Sequence, residues 1–148
     1  MNMKKYDNII LIGMPASGKT TFGRQLAKIL GWKFYDTDDW YLGLLPFVLK
    51  DIGAKKFLRD ESRHIRSIPL TTINTVIATG GSAVLSPSAM RHLRRLGRVV
   101  YLEVDFPEVI KRIGNFEKRG VVDGFYLSDR IPLYEKWCHE KVRVTAND

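Results

Sequence analysis

The chain is expected to fold as an α/β protein, with a parallel sheet covered on both faces by helices. Three observations carry that expectation. Short apolar runs alternate with segments of helical period along the chain. The helical segments open and close at recognisable cap residues. The residues with chemistry to offer fall just after the predicted strands, where parallel sheets bind their ligands.

The elements follow in order. Asn8–Ile12 is the first apolar run, closed by Gly13. From Lys19 the period changes: Phe22, Leu26, Ile29 and Leu30 fall on one helical face, and Gly31 sits where a helix should stop. Residues 33–35 make a brief second strand that runs into Asp36. Residues 54–68, read as a helix, put Ala54, Phe57, Leu58, Glu61, Ile65 and Ile68 on one face, so Glu61 is a lone acid on an apolar stripe. Such an acid either has a polar partner or sits at the exposed end of the stripe. Thr75–Ala78 is a third strand of the buried type, followed by Thr79, Gly80 and Gly81. Ser86 and Pro87 supply the cap and first-turn proline of a helix that carries Met90, Leu93 and Leu96 and stops at Gly97. Residues 98–104 form the clearest strand, and Asp105 and Pro107 open a helix through Ile113 to Gly114. Residues 115–126 have no clean period and contain Gly120 and Gly124. A helix resumes near Ser128, and residues 141–144 make a last strand.

Composition bounds the function. The 148 residues imply one domain, and 45% apolar content is enough for a core. The formal net charge of +8 invites an anionic partner, either a nucleic acid or an anionic small molecule, against the plainer reading of a solvated basic surface. Arg91, Arg94, Arg95 and Arg98 flank a helix end, where they suit the helix dipole and a solvated face; nucleic acid is not an expected partner. Cys138 is the only cysteine, which rules out an intrachain disulfide and fits a reducing cytoplasm. Lys4 and Lys5 before the run Ile9 to Ile12 imitate a signal peptide, but the run is too short, and no stretch reaches transmembrane length. A cytoplasmic monomer without a membrane partner is expected. His64, His92, His139 and Cys138 show no metal-ligand spacing, and His64 and His92 are expected on the solvated surface. Trp32, Trp40 and Trp137 are expected to pack rather than stack on a ligand.

Residues 13–20 read GMPASGKT, a G-x-x-x-x-G-K-T phosphate loop between an apolar strand and a periodic helix. Such a match arises by chance in roughly one chain in two hundred of this length, so its context makes it a credible site. Backbone N–H groups of residues 16–20 can point at phosphate oxygens, and the helix N-terminus adds positive potential. Gly13 and Gly18 permit the close approach. Lys19 would reach the β- and γ-phosphates, and the Thr20 hydroxyl would ligate Mg²⁺. Ala16, Ser17 and Thr21 complete the expected nucleotide contacts. No N-K-x-D stretch signals guanine, and the chain is short for a motor or helicase core. Small-molecule kinases are the compact members of this class. Residues 36–38 read DTD. Two acids spaced i, i+2 in extended backbone point to the same side, and beside a triphosphate they need a cation or hydroxyl donors.

Taken together, G-x-x-x-x-G-K-T at 13–20, F-x-D-T-D at 34–38, F-x-x-x-E at 57–61, A-T-G-G at 78–81 and R-x-P-L-Y at 130–134 resemble the shikimate kinase family over nearly the whole chain. The resemblance implies a P-loop NTPase-type three-layer sandwich with a mainly parallel five-stranded sheet. It also implies a helical substrate-binding insert at about 38–66 and a lid at about 114–127 within one domain, 1–148. It implies transfer of the γ-phosphoryl of ATP to the 3-hydroxyl of shikimate, with Mg²⁺. Asp36 would hold the metal, and Asp38 would bind substrate hydroxyls and serve as base. Gly80 and Gly81 would offer backbone N–H groups, Glu61 would lie at the substrate, Arg119 would come from the lid and Arg112 would lie beside the adenine. The chain departs from the family pattern at three points: Ser82 stands for a third glycine, Leu58 for a substrate-binding arginine, and Lys136 for a carboxylate-binding arginine. Arg59 points about 100° away from Leu58 on the helix and is not a direct substitute. Lys136 is taken as the carboxylate contact, with Arg130 as a further basic residue able to complete the pocket. The chain also stops at Asp148, where relatives continue toward an adenine-contacting loop. Two alternatives therefore stand beside shikimate phosphorylation: a kinase of another small hydroxyl compound, and a nucleotide-binding protein with little transfer activity.

Overall fold

The computed structural model describes residues 7–41, 45–113 and 128–144. The strands are β1 (Asn8–Ile12), β2 (Lys33–Asp36), β3 (Thr75–Ala78), β4 (Arg98–Glu103) and β5 (Glu140–Arg143). The helices are α1 (Lys19–Leu30), α2 (Leu45–Arg66, broken at Gly53), α3 (Pro87–Leu96), α4 (Phe106–Ile113) and α5 (Ile131–Trp137). All five strands are parallel, in the order β2-β3-β1-β4-β5. The alternation of strand and helix in the sequence is therefore the alternation in the fold.

β1 lies at the centre of the sheet, and its alternate residues feed the two faces. Ile10 and Ile12 join Ile77, Val99 and Tyr101 under α3, α5 and the second half of α2. Leu11 joins Val76 and Val100 beneath α1, against Ala27, Phe22 and Leu26. Asn8, fully buried at the start of β1, ties neighbouring segments together. Its amide donates to Thr72 O (2.7 Å) and Leu96 O (2.9 Å), and its Oδ1 accepts from the Thr75 N–H (3.1 Å).

The helices match the predicted periods with one correction. In α1 the buried stripe is Lys19, Gly23 and Ala27, and Ile29 is 81% exposed. The reason is the close seat at Gly23, where an added Cβ would come within 2.6 Å of the Phe34 ring and 3.1 Å of Leu11. With Gly23 facing the sheet, Ile29 lies about 120° away around the helix and is left in solvent, and Leu30 is exposed at the helix end. On α3 the Ser86 side chain accepts from the Ala89 N–H, and Met90, Leu93 and Leu96 are buried as expected. On α2, Phe57, Glu61 and Ile65 are buried and Leu58 is half-buried.

His64 and His92, expected on the solvated surface, are half-buried and hydrogen-bonded, and so is His139. His64 shares a hydrogen bond with the Tyr35 hydroxyl, His92 Nε2 lies 2.8 Å from Ile68 O, and His139 Nδ1 accepts from the Val99 N–H at 2.9 Å. Each secures a junction between elements, which a helical wheel of its own segment does not show. The basic run meets local partners: Arg94 donates to Trp137 O, and Arg98 pairs with Glu140. No helix among the described residues is long and apolar enough to cross a membrane.

Candidate active site

Three loops leave the carboxyl ends of β1, β2 and β3 side by side. The first, residues 13–18, ends at Gly18, the cap of α1. Lys19 opens that helix and turns back into the loop. Its Nζ donates to Gly13 O (2.8 Å) and Met14 O (2.7 Å) and lies 3.4 Å from Ser17 Oγ. Burial pulls the ammonium down to about 8, against the opposing pull of Asp38 and Asp36, with Arg130 adding to the depression. Ala16 adopts a left-handed backbone (φ 62), and its carbonyl accepts from Arg112 Nη1 at 3.1 Å. Arg112 is itself held by Glu108, one turn earlier on α4. The arginine expected beside the nucleotide thus sits on the rim of the loop.

The second loop corrects the extended reading of DTD. β2 ends at Asp36, and Thr37–Tyr41 coils into a short 3₁₀ turn. Asp36 Oδ1 accepts from the backbone N–H of Asp38 at 2.9 Å, and Oδ2 accepts from the Thr20 hydroxyl at 2.9 Å. An aspartate whose carboxylate captures an N–H two residues on favours a turn over continued strand. The two acids consequently have different surroundings. Asp36 faces the first turn of α1, and Asp38 faces the third loop.

That third loop is the floor of the site. A Cβ placed on Gly80 would lie 2.5 Å from Asp38 Oδ1 and 3.1 Å from Glu61 Oε2, so only glycine lets both carboxylates approach the backbone here. Glu61 comes from α2 and is 3% exposed. Its two oxygens accept from the Ser82 hydroxyl at 2.8 and 3.0 Å. Burial, reinforced by Asp38, pushes the Glu61 carboxyl up to about 7, while the Ser82 bond and the charge of Arg130 oppose the rise. The lone acid on the apolar stripe has its polar partner.

Arg130, at the start of α5, is 3% exposed, and its charge acts on Lys19, Glu61 and Tyr134. The Tyr134 hydroxyl hydrogen-bonds Arg130 and donates to Gly81 O at 2.7 Å. Its ring stacks on Tyr101 with centroids 5.1 Å apart. Gly81 also meets the phosphate loop, since a Cβ there would strike Pro15 at 2.7 Å. β4 and α5 therefore brace the floor against the loop.

The structure brings together Gly13, Ala16, Ser17, Gly18, Lys19, Thr20, Thr21 and Arg112 at the loop, and Asp36, Asp38, Glu61, Gly80 and Gly81 beside it. It does not bring Lys136 to this cluster. Lys136 is exposed, with its Nζ 5.0 Å from the Trp137 ring centroid, and two residues along a helix from Tyr134 it points to the far side. Arg119 and the segment 114–127 lie outside the described residues. Two residues join the site that local patterning does not single out: Ser82, which stands for a glycine of the family pattern, and Arg130. Each carries a signal in the sequence: a buried acid needs a donor, and Arg130 opens the R-x-P-L-Y stretch itself.

A phosphate-shaped loop that shares the carboxyl end of a parallel sheet with an acid poised over bare backbone defines a P-loop phosphotransferase of the small-molecule kinase class. Known proteins narrow the class. The family model for shikimate kinase matches residues 15–145. The shikimate kinase of Moorella thermoacetica is 40% identical over 79% of this chain and 69% of its own length. That of Thiobacillus denitrificans is 41% identical over 90% of this chain and 75% of its own. The solved shikimate kinase of Acinetobacter baumannii in complex with shikimate superposes with a TM-score of 0.82 at 27% identity, covering 96% of this chain and 86% of that one. The chain belongs to the shikimate kinase family.

Proposed function

We propose that this chain transfers the γ-phosphoryl group of ATP to the 3-hydroxyl of shikimate. The observation that carries the reading is the meeting of Asp38 and Glu61 over Gly80, beside the loop that holds Lys19. The acceptor hydroxyl would lie against Asp38, which takes its proton as the new oxygen–phosphorus bond forms and the bond from the γ-phosphorus to the bridging oxygen of ADP breaks. The 16–20 backbone would hold the phosphates, and Lys19, released from Gly13 O and Met14 O, would meet the transferring oxygens. Positioning and charge neutralisation supply most of the rate in such a reaction. Arg112 would lie beside the adenine, an assignment supported by its bond to the loop carbonyl of Ala16.

Thr20 and Asp36 fit Mg²⁺, because they set two hard oxygen atoms 2.9 Å apart at the loop. The ion takes few protein ligands and completes its shell with phosphate and water. When bound it neutralises charge on the β- and γ-phosphates. Asp36 then serves the metal, and Asp38 is left for the acceptor.

Arg130, rather than Lys136, is assigned to the carboxylate of the acceptor, because it is buried among the same residues as Glu61 and Tyr134. The segment at about 38–66 would bind the acceptor, and 114–127 would serve as the lid over ATP and supply Arg119 to the transferring phosphoryl. A cytoplasmic monomer with neither nucleic-acid nor membrane partner completes the reading. Leu58 favours one second reading, a related hydroxyl compound with less negative charge. Coupled ADP release with ATP alone, with shikimate and with a panel of neutral polyols separates the two. Release that depends on shikimate supports the first, and release that depends on a neutral polyol supports the second.

A further inference from the structure

The Ser82 hydroxyl lies within hydrogen-bond distance of both oxygens of Glu61, at 2.8 and 3.0 Å. One hydroxyl that reaches both oxygens holds the carboxylate in place. Both residues are buried, Glu61 at 3% and Ser82 at 8% exposure. The carboxylate so held borders the acceptor floor, with Oε2 3.1 Å from the point where Gly80 would carry a Cβ and Asp38 Oδ1 2.5 Å from the same point. Leu58 stands three residues before Glu61 on α2, the spacing at which a basic side chain would pair with Glu61 along one helix face. Leucine offers no such pairing. Glu61 could thus be anchored from its own helix or from the third loop, and this chain uses the loop.

We propose that Ser82 is a positioning residue for the acceptor: it anchors the Glu61 carboxylate beside Asp38 over Gly80, in place of a cation at position 58, so that positions 58 and 82 are coupled through Glu61. The inference rests on the reading that the acceptor occupies this floor. Ser82 has no role toward nucleotide, since its hydroxyl is committed to Glu61. Its removal should therefore be felt in acceptor binding and little in ATP binding. A hydrogen bond to a charged or partly charged buried group is worth enough to change acceptor affinity about tenfold. The groups facing Glu61 are Ser82, Asp38, Arg130 and Tyr134. Of these only Ser82 is altered by the test.

The experiment compares wild type, Ser82→Ala, Leu58→Arg and the double variant. ADP release is measured against shikimate and against ATP, and the Glu61 carboxyl is titrated by ¹³C NMR in the ligand-free proteins. The expected result has three parts. Ser82→Ala raises KM for shikimate about tenfold, with KM for ATP changed less than about twofold. The Glu61 titration moves upward. Leu58→Arg lowers the shikimate KM at least about threefold more in the Ser82→Ala background than in wild type. Equal effects of Leu58→Arg in both backgrounds, or an unchanged shikimate KM in Ser82→Ala, overturn the proposal. If wild type shows no shikimate dependence at all, the acceptor reading fails separately. The titration still decides the anchoring, which is overturned by a Glu61 signal that Ser82→Ala leaves in place.

Discussion

Replacing Glu61 by glutamine should change how stability depends on pH, and the structure sets the size. The Glu61 carboxyl is held at about 7 in the folded protein, against 4.5 for an ordinary glutamate, with burial as the main cause. Between those values the folded state retains a proton that the unfolded state gives up. Glu61 therefore contributes stability that is full below about pH 4.5 and is lost as pH rises through about 7. The whole loss is about 3 kcal/mol, and about 2 to 3 kcal/mol of it falls between pH 5 and 8. Glutamine keeps an oxygen to accept from Ser82 and does not titrate. Every other ionisable group is common to the two proteins, so the difference between them isolates Glu61. Urea unfolding at about pH 5 and pH 8 should show Glu61→Gln gaining about 2 to 3 kcal/mol relative to wild type at the higher pH. That gain corresponds to a relative shift of roughly 1 to 2 M in the midpoint. A stability difference that stays the same at both pH values would refute the buried, proton-retaining Glu61.

Three further outcomes are expected. Lys19→Met should lower ATP turnover at least about a hundredfold, read by coupled ADP release, while thermal unfolding shows a folded protein, because the buried ammonium serves charge rather than packing. Gly80→Ala should lower kcat for the acceptor reaction more than it raises KM for ATP, since its methyl would lie 2.5 Å from Asp38 Oδ1 and must displace that carboxylate; steady-state kinetics with both substrates varied checks it. Asn8→Ala should destabilise the fold by about 2 to 4 kcal/mol in urea unfolding, because it strips partners from the Thr75 N–H and two carbonyls at once.

Much of the fold was legible because parallel strands and amphipathic helices write their periods into local sequence. β1, β3 and α3 run where the apolar runs and caps place them. The phosphate loop was legible for the same reason, since its glycines and Lys19 are contiguous. What escaped was whatever depends on a partner distant in sequence. The seat of Gly23 against Phe34 decides which face of α1 is buried, and no window on α1 contains Phe34. The partner of Glu61 lies 21 residues away, on the loop after β3. The bend at Asp36 depends on a carboxylate choosing a backbone N–H over solvent, which spacing alone does not reveal. Lys136 was the converse case. Its place in the chain suggested the site, and the turn of α5 carried it past.

The place of β1 has a consequence for how the molecule comes into being. The strand that bears the phosphate loop precedes in the chain both strands that flank it. Its neighbours begin at Thr75 on one side and Arg98 on the other. Until those strands emerge, β1 is an apolar ribbon with both edges open, and its loop has no platform. Parallel pairings of such long range close slowly and expose sticky strands while they wait. Arg130 and Tyr134, which brace the floor, arrive later still. ATP therefore finds its complete platform only after β3, β4, Arg130 and Tyr134 have been made, and it cannot stabilise the β1 loop before then.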